Sequence, residues 1–183
     1  KTIGVEFSSK VISASGHSVM RAVQVKVASG SGYIRPMHKK IEENPNALIK
    51  KRTKFDEFVL DGSGKVVGIK CRENYKFDGG LNSDDLENTS GEVKFIKAKK
   101  GVILAAGGFS SDKWFRAQQV PYLKTDIDTV SQPGATAGAL TAAINIGANP
   151  LLLSWIQLNP YTNPTEKGFG TSAVFTNHCK FLT

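Results

Sequence analysis

The stretch KKGVILAAGGFSSDKWF, residues 99–115, decides the fold class. Its five consecutive apolar residues, 102–106, predict a strand that is buried on both faces, as in a parallel sheet covered by helices. Gly107 and Gly108 follow directly and permit a positive φ and a close approach of the main chain to a ligand. Ligands of such sheets bind beyond the carboxyl ends of the strands, so this turn is a candidate ligand site. A tight strand-to-helix turn without a ligand explains the same residues equally well.

The residues after the two glycines predict an N-capped helix that Pro121 ends. Ser110 or Ser111 is a candidate cap, and Asp112 suits the positive end of a helix dipole. Further along, QPGATAGALTAAINIGANP, residues 132–150, predicts a buried Ala-rich helix. The hydrophobic run LLLSWIQLNP, residues 151–160, predicts another strand.

The segments before residue 99 predict one helix and an antiparallel meander. The helix requires Pro36 to lie in its first turn. The cluster DGSG, residues 61–64, predicts the turn of a hairpin. The predicted elements are a helix over residues 34–41, a hairpin of residues 55–60 and 66–71, a polar excursion loop over 75–92 and a strand over 92–98. The fold class is therefore α/β with an antiparallel β-meander.

Composition narrows the function classes. The 183 residues are 40% hydrophobic and 22% charged, which is typical of a globular chain, and no apolar run reaches the roughly 18 residues of a membrane span. The net charge of +8 comes from scattered basic residues that are not interleaved with aromatic ones, so nucleic acid is not an expected partner. The two cysteines, Cys71 and Cys179, form no C-x-x-C motif, so no metal site is predicted and both are expected to be unpaired thiols.

Five segments in a fixed order resemble the flavoprotein subunits of the fumarate reductase and flavocytochrome c family, which are FAD-dependent oxidoreductases. The resemblance runs from about Gly16 to the end of the chain. It rests on SGHSVMRAV (15–23), GKVVGIK (64–70), IKAKKGVILAAGGFSSD (96–112), SQPGATAGALTAAINIGANP (131–150) and SWIQLNP (154–160).

The resemblance implies an internal piece of a larger flavoprotein. The family opens with a G-x-G-x-x-G fingerprint for the FAD pyrophosphate, which this sequence lacks. Residues 1–160 are therefore expected to be part of a FAD-binding Rossmann-like domain without its first dinucleotide βαβ unit, and residues 161–183 the start of the linker toward the substrate clamp region. The chain starts at Lys1 rather than Met, which agrees with this expectation. The family's catalytic arginine is expected outside this chain, so no catalytic residue is predicted within it.

The resemblance also implies a set of FAD-binding residues. The residues expected beside the flavin ring are Gly16, His17 and Ser18, and those of the turn that approaches the cofactor are Ala105, Ala106, Gly107 and Gly108. The start of the Ala-rich helix is expected to contribute Gly134, Ala135 and Thr136. The adenine-side strand is expected to contribute Phe55, and the last strand Gln157. Phe55 serves equally well as plain core.

Three departures from the family pattern bear on the chemistry. Ala106 stands where the family usually has Thr, and the segment 137–139 reads Ala-Gly-Ala where many relatives have Gly-Asp-Gly, so this segment supplies no acidic group. Asn159 stands where the fumarate reductases have a His that helps to hold a substrate carboxylate. A neutral Asn supplies no positive charge, which puts fumarate in doubt and favours another activated alkene acid or organic acceptor. Thr171 is the remaining candidate for substrate binding.

The expected function is therefore that of a fragment of an FAD oxidoreductase that reduces an activated C=C bond of an organic acid by flavin hydride transfer. Alternatives are a ketosteroid-dehydrogenase-like or succinate-oxidising flavoenzyme, and a folded fragment with no activity alone. A cytochrome c or another electron donor is the expected protein partner, although the chain has no haem-binding C-x-x-C-H motif. The compartment, periplasm or cytoplasm, is left open.

Overall fold

A computed structural model describes residues 3–13, 17–27, 29–81, 83–129 and 131–158. The described residues before Arg52 form one compact unit, and those from Arg52 onward form a second. The elements of the first unit are β1 (Phe7–Ile12), β2 (Ala22–Val25) and α1 (Ser31–Glu42). Those of the second are β3 (Thr53–Leu60), β4 (Val66–Glu73), α2 (Asp84–Glu87), β5 (Glu92–Lys97), α3 (Lys113–Gln119) and α4 (Gly138–Asn145).

The first unit combines an antiparallel strand pair with the helix α1. Strands β1 and β2 pair with Phe7 opposite Val25, and the rings of Phe7 and Tyr33 meet edge-on at 5.9 Å between centroids. Helix α1 confirms the prediction from the apolar spacing. Pro36, however, lies in the second turn rather than the first. Because proline has no N–H group, the carbonyl of Gly32 receives no bond from position 36.

The second unit is built on a three-stranded antiparallel sheet in the order β3-β4-β5. The predicted hairpin between β3 and β4 is confirmed, with Phe58 opposite Ile69. Its turn is held by the Asp61 carboxylate, which accepts hydrogen bonds from the Ser63 amide at 2.9 Å and the Lys65 amide at 3.1 Å. The predicted α/β class with an antiparallel meander therefore holds for this part of the chain.

Strand β3 lies at an edge of the sheet and α4 packs against it. The outer edge of β3 is paired with no other strand among the described residues. The excursion loop predicted between β4 and β5 contains the short helix α2. These three features, the edge of β3, the loop with α2, and the start of α4, bring distant parts of the sequence to one place.

Two predicted strands are absent from the structure in the described residues. Residues 102–106 form no ladder, and Ile103 is 93% exposed. Residues 151–158 also lack strand structure, and Leu151 is 73% exposed. Both predictions were wrong because an apolar run indicates burial but not the strand it pairs with, and a strand exists only when a neighbour accepts its main-chain hydrogen bonds.

Candidate functional site

A cavity of about 480 Å³ opens in the second unit, within the size range of small-molecule sites of roughly 300–1,000 Å³. Its wall comes from β3, from the loop that carries α2, and from the two segments around residues 106 and 134–139. The lining residues are Arg52, Thr53, Lys54, Phe55, Tyr75, Phe77, Asp85, Ala106, Gly134, Thr136 and Ala139.

Four residues predicted from the sequence to bind the cofactor line this cavity together: Phe55, Ala106, Gly134 and Thr136. They lie as much as 81 positions apart in the chain but share one wall. Gly134 has a local reason to be glycine, because a Cβ there would lie 3.1 Å from the Phe77 ring. A side chain at position 134 would therefore narrow the cavity.

The other predicted site residues are not part of this wall. Ala105, Gly107 and Gly108 are exposed, and Gly107 has the positive φ of +80° that glycine permits. Gln157 is exposed and outside the lining. His17, which is half-buried, and Ser18, which is exposed, belong to the first unit. Gly16, Asn159 and Thr171 lie outside the described residues.

Hydrogen bonds tie the turn after Gly108 to the segment that opens α4. The Ser111 amide donates to the carbonyl of Ala135 at 2.9 Å, and its hydroxyl donates to the carbonyl of Gln132 at 2.8 Å. The Asp112 carboxylate accepts from the amides of Phe115 at 2.9 Å and Ala137 at 3.3 Å. Asp112 is therefore the N-cap of α3, and neither serine is. The predicted site residue Ala135 therefore acts through its carbonyl, which accepts the hydrogen bond that ties the cavity segment 134–139 to the turn after Gly108.

A nearly buried ion-pair cluster joins β3, β4 and the loop that carries α2. Lys54 Nζ lies 3.3 Å from Asp56 Oδ1 and 2.9 Å from Asp85 Oδ1, and the side chains of Lys54 and Asp85 are only 13% and 11% exposed. Arg72 completes the cluster from β4, since its Nε donates to Asp56 Oδ2 at 3.0 Å and its Nη2 to Oδ1 at 3.0 Å. The arrangement satisfies the charges that the cavity wall buries.

Burial alone would raise the pKa of the Asp56 carboxyl, but the hydrogen bond from Arg72 and the positive charges of Lys54 and Arg72 hold it below its ordinary value. The same hydrogen bond raises the pKa of the Arg72 guanidinium. Both groups therefore stay charged near neutral pH.

Tyr75 fixes the loop that carries α2 onto this cluster. Its hydroxyl donates to the Asp84 carboxylate, and its ring lies 4.8 Å from Arg72 Cζ and 5.3 Å, nearly perpendicular, from the Phe77 ring. Burial and the hydrogen bond to Asp84 raise the pKa of the Tyr75 hydroxyl. The phenol is thus neutral at all pH values at which the protein is expected to work.

Asp85 places a carboxylate at the start of α4. Its Oδ2 accepts a hydrogen bond from the Gly138 amide at 2.9 Å, and a Cβ added to Gly138 would lie 2.8 Å from both carboxylate oxygens. The sequence indicated that the segment 137–139 lacks the acidic group of many relatives. In the structure, the loop that carries α2 brings the carboxylate of Asp85 against Gly138 in that segment.

Sequence reasoning missed the residues that come from the excursion loop and from the start of β3. These are Arg52, Lys54, Tyr75, Phe77 and Asp85. The aromatic residues Tyr75 and Phe77 in a polar loop were a usable signal, because Phe and Tyr side chains are often buried in folded proteins. Nothing in the sequence places that loop beside residue 138.

The described residues contain neither a candidate metal site nor a helix suited to a membrane. Among them, no group of His, Cys, Asp or Glu side chains is arranged to hold a metal ion. None of the helices in the described part of the chain has the length and apolar character needed to cross a membrane.

Fold and cavity together define the class: an α/β domain with an antiparallel meander, in which residues predicted to bind a cofactor line one cavity at the edge of the sheet. The chain belongs to the FAD binding domain family, whose profile matches residues 8–173. FAD is the cofactor of this family, and the predicted resemblance to FAD-dependent oxidoreductases is confirmed.

Two relatives agree with this membership. The chain is 36% identical over 167 residues to the acrylate reductase flavoprotein subunit of Shewanella woodyi, covering 91% of this chain and 31% of that protein. It is 36% identical over 153 residues to the urocanate reductase of Eggerthella lenta, covering 84% and 23%. The chain thus spans less than a third of the length of these curated relatives.

The fold is also found in a solved structure. The open conformation of a flavocytochrome c3 fumarate reductase matches with a TM-score of 0.67 at 22% sequence identity, over 85% of this chain and 24% of that one. The predicted fold class, a part of a FAD-binding domain with an antiparallel β-meander, is confirmed by this match and by the family profile.

Proposed function

We propose that the protein is a FAD-dependent reductase that acts on the activated C=C bond of an organic acid other than fumarate. The observation that carries the proposal is the cavity, where Phe55, Ala106, Gly134 and Thr136 come together in a member of the FAD binding domain family. FAD, when bound, supplies the hydride chemistry that reduces an electron-poor C=C bond.

The residues of the cavity fit one part of FAD. Asp85 and Thr136 offer a carboxylate and a hydroxyl to polar groups of the cofactor, and the Phe77 ring offers an apolar wall. The Asp85 carboxylate is held in place by the Lys54 ammonium at 2.9 Å and the Gly138 amide at 2.9 Å, so the negative charge at this wall is fixed. The absence of a side chain at Gly134 keeps the wall open beside Phe77.

The substrate class is supported by two observations. Asn159, in place of the family's histidine, lacks the positive charge that would help to hold a second carboxylate. Two relatives with 36% identity are named for acrylate and urocanate, and neither name is fumarate. We therefore propose an acid with one carboxylate next to the double bond, held partly by Asn159 and Thr171.

The test uses the full-length protein loaded with FAD and a chemically reduced dye as the electron donor. We expect dye oxidation with acrylate or urocanate to exceed that with fumarate. Preference for fumarate would overturn the substrate class. A protein that holds FAD but oxidises the dye with none of the three acids would overturn the activity.

We also propose that residues 1–183 alone do not turn over these acids, because the acid that delivers the proton comes from another part of the protein. The electron donor is proposed to be a cytochrome c or another redox protein, which the name of one relative as a flavoprotein subunit supports. Measurable reduction of acrylate by the 183-residue chain with added FAD would refute the first statement, with the full-length protein as the positive control.

A further inference from the structure

We propose that Arg52 is a cofactor-binding residue whose guanidinium holds the pyrophosphate of FAD at the cavity described above. The proposal rests on the proposed function, because it concerns the same cavity. It names the group of this chain that meets the anionic part of the cofactor. The sequence alone does not single out Arg52, which stands in the basic run KKRTK, residues 50–54.

The first argument is the backbone of Arg52, which has a conformation that arginine seldom adopts. Its φ is +52°, in the left-handed region where the Cβ of an L-residue is crowded by the main chain. The Tyr75 amide donates to the Arg52 carbonyl at 3.0 Å and so fixes this peptide against the end of β4. Glycine would adopt the same φ without strain, so the long side chain needs a reason other than the local fold. Strain of this kind is concentrated at functional sites.

The same junction contains a second left-handed residue that needs no such reason. Asn74, one residue beyond β4, has φ +59°. Asparagine is several-fold enriched in this region, because its short polar side chain can bond locally. Asn74 does not line the cavity, whereas Arg52 does. The two positions therefore share a backbone conformation and differ in access to the ligand.

The second argument is the charge of the Arg52 guanidinium. The residue is exposed, and within the described part of the chain its Nη2 donates to the carbonyl of Asn74 at 3.4 Å, which is long for a hydrogen bond. None of the ion pairs between described residues includes Arg52. Lys54, the other cation of the lining, is paired with Asp56 and Asp85. Arg52 therefore keeps most of its N–H donors for a ligand.

The third argument is the match between this charge and the cofactor. The charged residues of the lining are Arg52, Lys54 and Asp85, and the last two neutralise each other at 2.9 Å. The net positive charge of the cavity therefore lies on Arg52. The phosphates are the anionic groups of oxidised FAD at neutral pH, and a guanidinium binds phosphate oxygens through parallel N–H donors.

The experiment compares FAD binding with stability in the full-length protein. The dissociation constant is measured by flavin fluorescence, and the urea midpoint of the FAD-free protein by tryptophan fluorescence. We expect Arg52→Gly to raise the dissociation constant about 10-fold, as for the loss of a hydrogen bond to a charged group. The same variant should raise the urea midpoint by about 0.3–0.5 M, because glycine relieves the strain. The matched control Asn74→Gly should leave the dissociation constant nearly unchanged.

A second variant, Arg52→Gln, separates the charge from the backbone. It keeps the positive φ and a long polar side chain but removes the charge, so it should lose FAD affinity without a gain in stability. Raising NaCl from about 0.05 M to about 0.5 M should reduce severalfold the ratio of its dissociation constant to that of the unsubstituted protein, because screening weakens only the charged contact.

Four results would overturn the proposal: full FAD affinity in Arg52→Gln, an equal loss of affinity in Asn74→Gly, a lower urea midpoint in Arg52→Gly, or an affinity ratio that does not change with salt. A salt-independent ratio would indicate that the side chain packs against an uncharged part of FAD. If the unsubstituted protein does not bind FAD, the proposed function itself fails, and this outcome is distinct from the other four.

Discussion

Replacing Arg72 by Met should destabilise the second unit far more than removing a neighbouring charge on the same strand. Arg72 is 12% exposed and Asp56 is 18% exposed, and two guanidinium nitrogens bind that carboxylate at 3.0 Å. Its Nη1 also donates to the carbonyls of Asn88 and Ser90, the latter at 3.2 Å. The single side chain therefore joins β3, β4 and the end of the excursion loop.

The magnitude follows from the burial. Removing one partner of a buried ion pair costs about 3–5 kcal/mol, because the other charge remains buried. Since both side chains keep some contact with solvent, we expect the lower end, about 3 kcal/mol. With a urea dependence of about 2 kcal/mol per molar, the midpoint of unfolding falls by about 1.5 M.

The assay is urea unfolding followed by tryptophan fluorescence, since both tryptophans, Trp114 and Trp155, belong to the second unit. The matched control is Lys70→Met, which removes an exposed ion pair with Glu57 from the same strand. We expect that control to change the midpoint little. A loss below about 1 kcal/mol for Arg72→Met, or an equal loss for the control, would refute the reasoning.

The same variant should change the acid sensitivity of the fold. The folded pKa of Asp56 lies below its ordinary value of 3.8, so its contribution to stability is present above pH 3.8 and is lost as the pH falls through the folded pKa. Without Arg72 the depression of this pKa shrinks. Between pH 5 and 2 the free energy of unfolding should therefore fall less steeply in Arg72→Met than in the unsubstituted protein.

Three other perturbations follow from single contacts. Gly68→Ala should lower the free energy of unfolding by about 1–3 kcal/mol, because the added Cβ would lie 2.5 Å from the Ile96 carbonyl oxygen on β5. The control Gly62→Ala adds a Cβ in open space in the turn and should be nearly neutral in the same urea unfolding assay. Asp112→Ala should cost about 1 kcal/mol, since the N-cap bond to the Phe115 amide is lost, while Asp112→Asn should retain most of it. The raised pKa of Tyr75 means that one of the four tyrosines should resist ionisation above pH 10.0 until the protein unfolds, a delayed component of the tyrosinate absorbance that Tyr75→Phe should abolish.

The local elements could be predicted from the sequence because their causes are local. The hairpin turn is set by one side chain, Asp61, that binds main-chain amides two and four residues further on. Helix α1 is indicated by the spacing of its own apolar residues. Each of these signals lies within one short window of sequence, so no distant partner had to be known.

Elements that depend on a partner could not be predicted in this way. Residues 102–106 are apolar enough for a buried strand, but in the structure Leu104 is 42% exposed and Ile103 almost fully exposed. A strand buried on both faces needs a neighbour at its edges and a layer on each face. The apolar composition indicates that this segment is suited to burial. Whether it is buried depends on the tertiary contacts, which the described residues do not provide.

The site shows the same division between local pattern and tertiary placement. Phe55, Ala106, Gly134 and Thr136 were found because they stand within segments that resemble a family, one segment at a time. Asp85 stands in no such segment, and the apparent loss of an acidic group at 137–139 was inferred from that segment alone. The tertiary structure, however, places side chains in space, and it brings the Asp85 carboxylate to within 2.9 Å of the Gly138 amide. The overlap of the Asp85 oxygens with the Cβ position of Gly138 also explains why residue 138 is glycine here: a side chain at that residue and the carboxylate from the loop exclude each other.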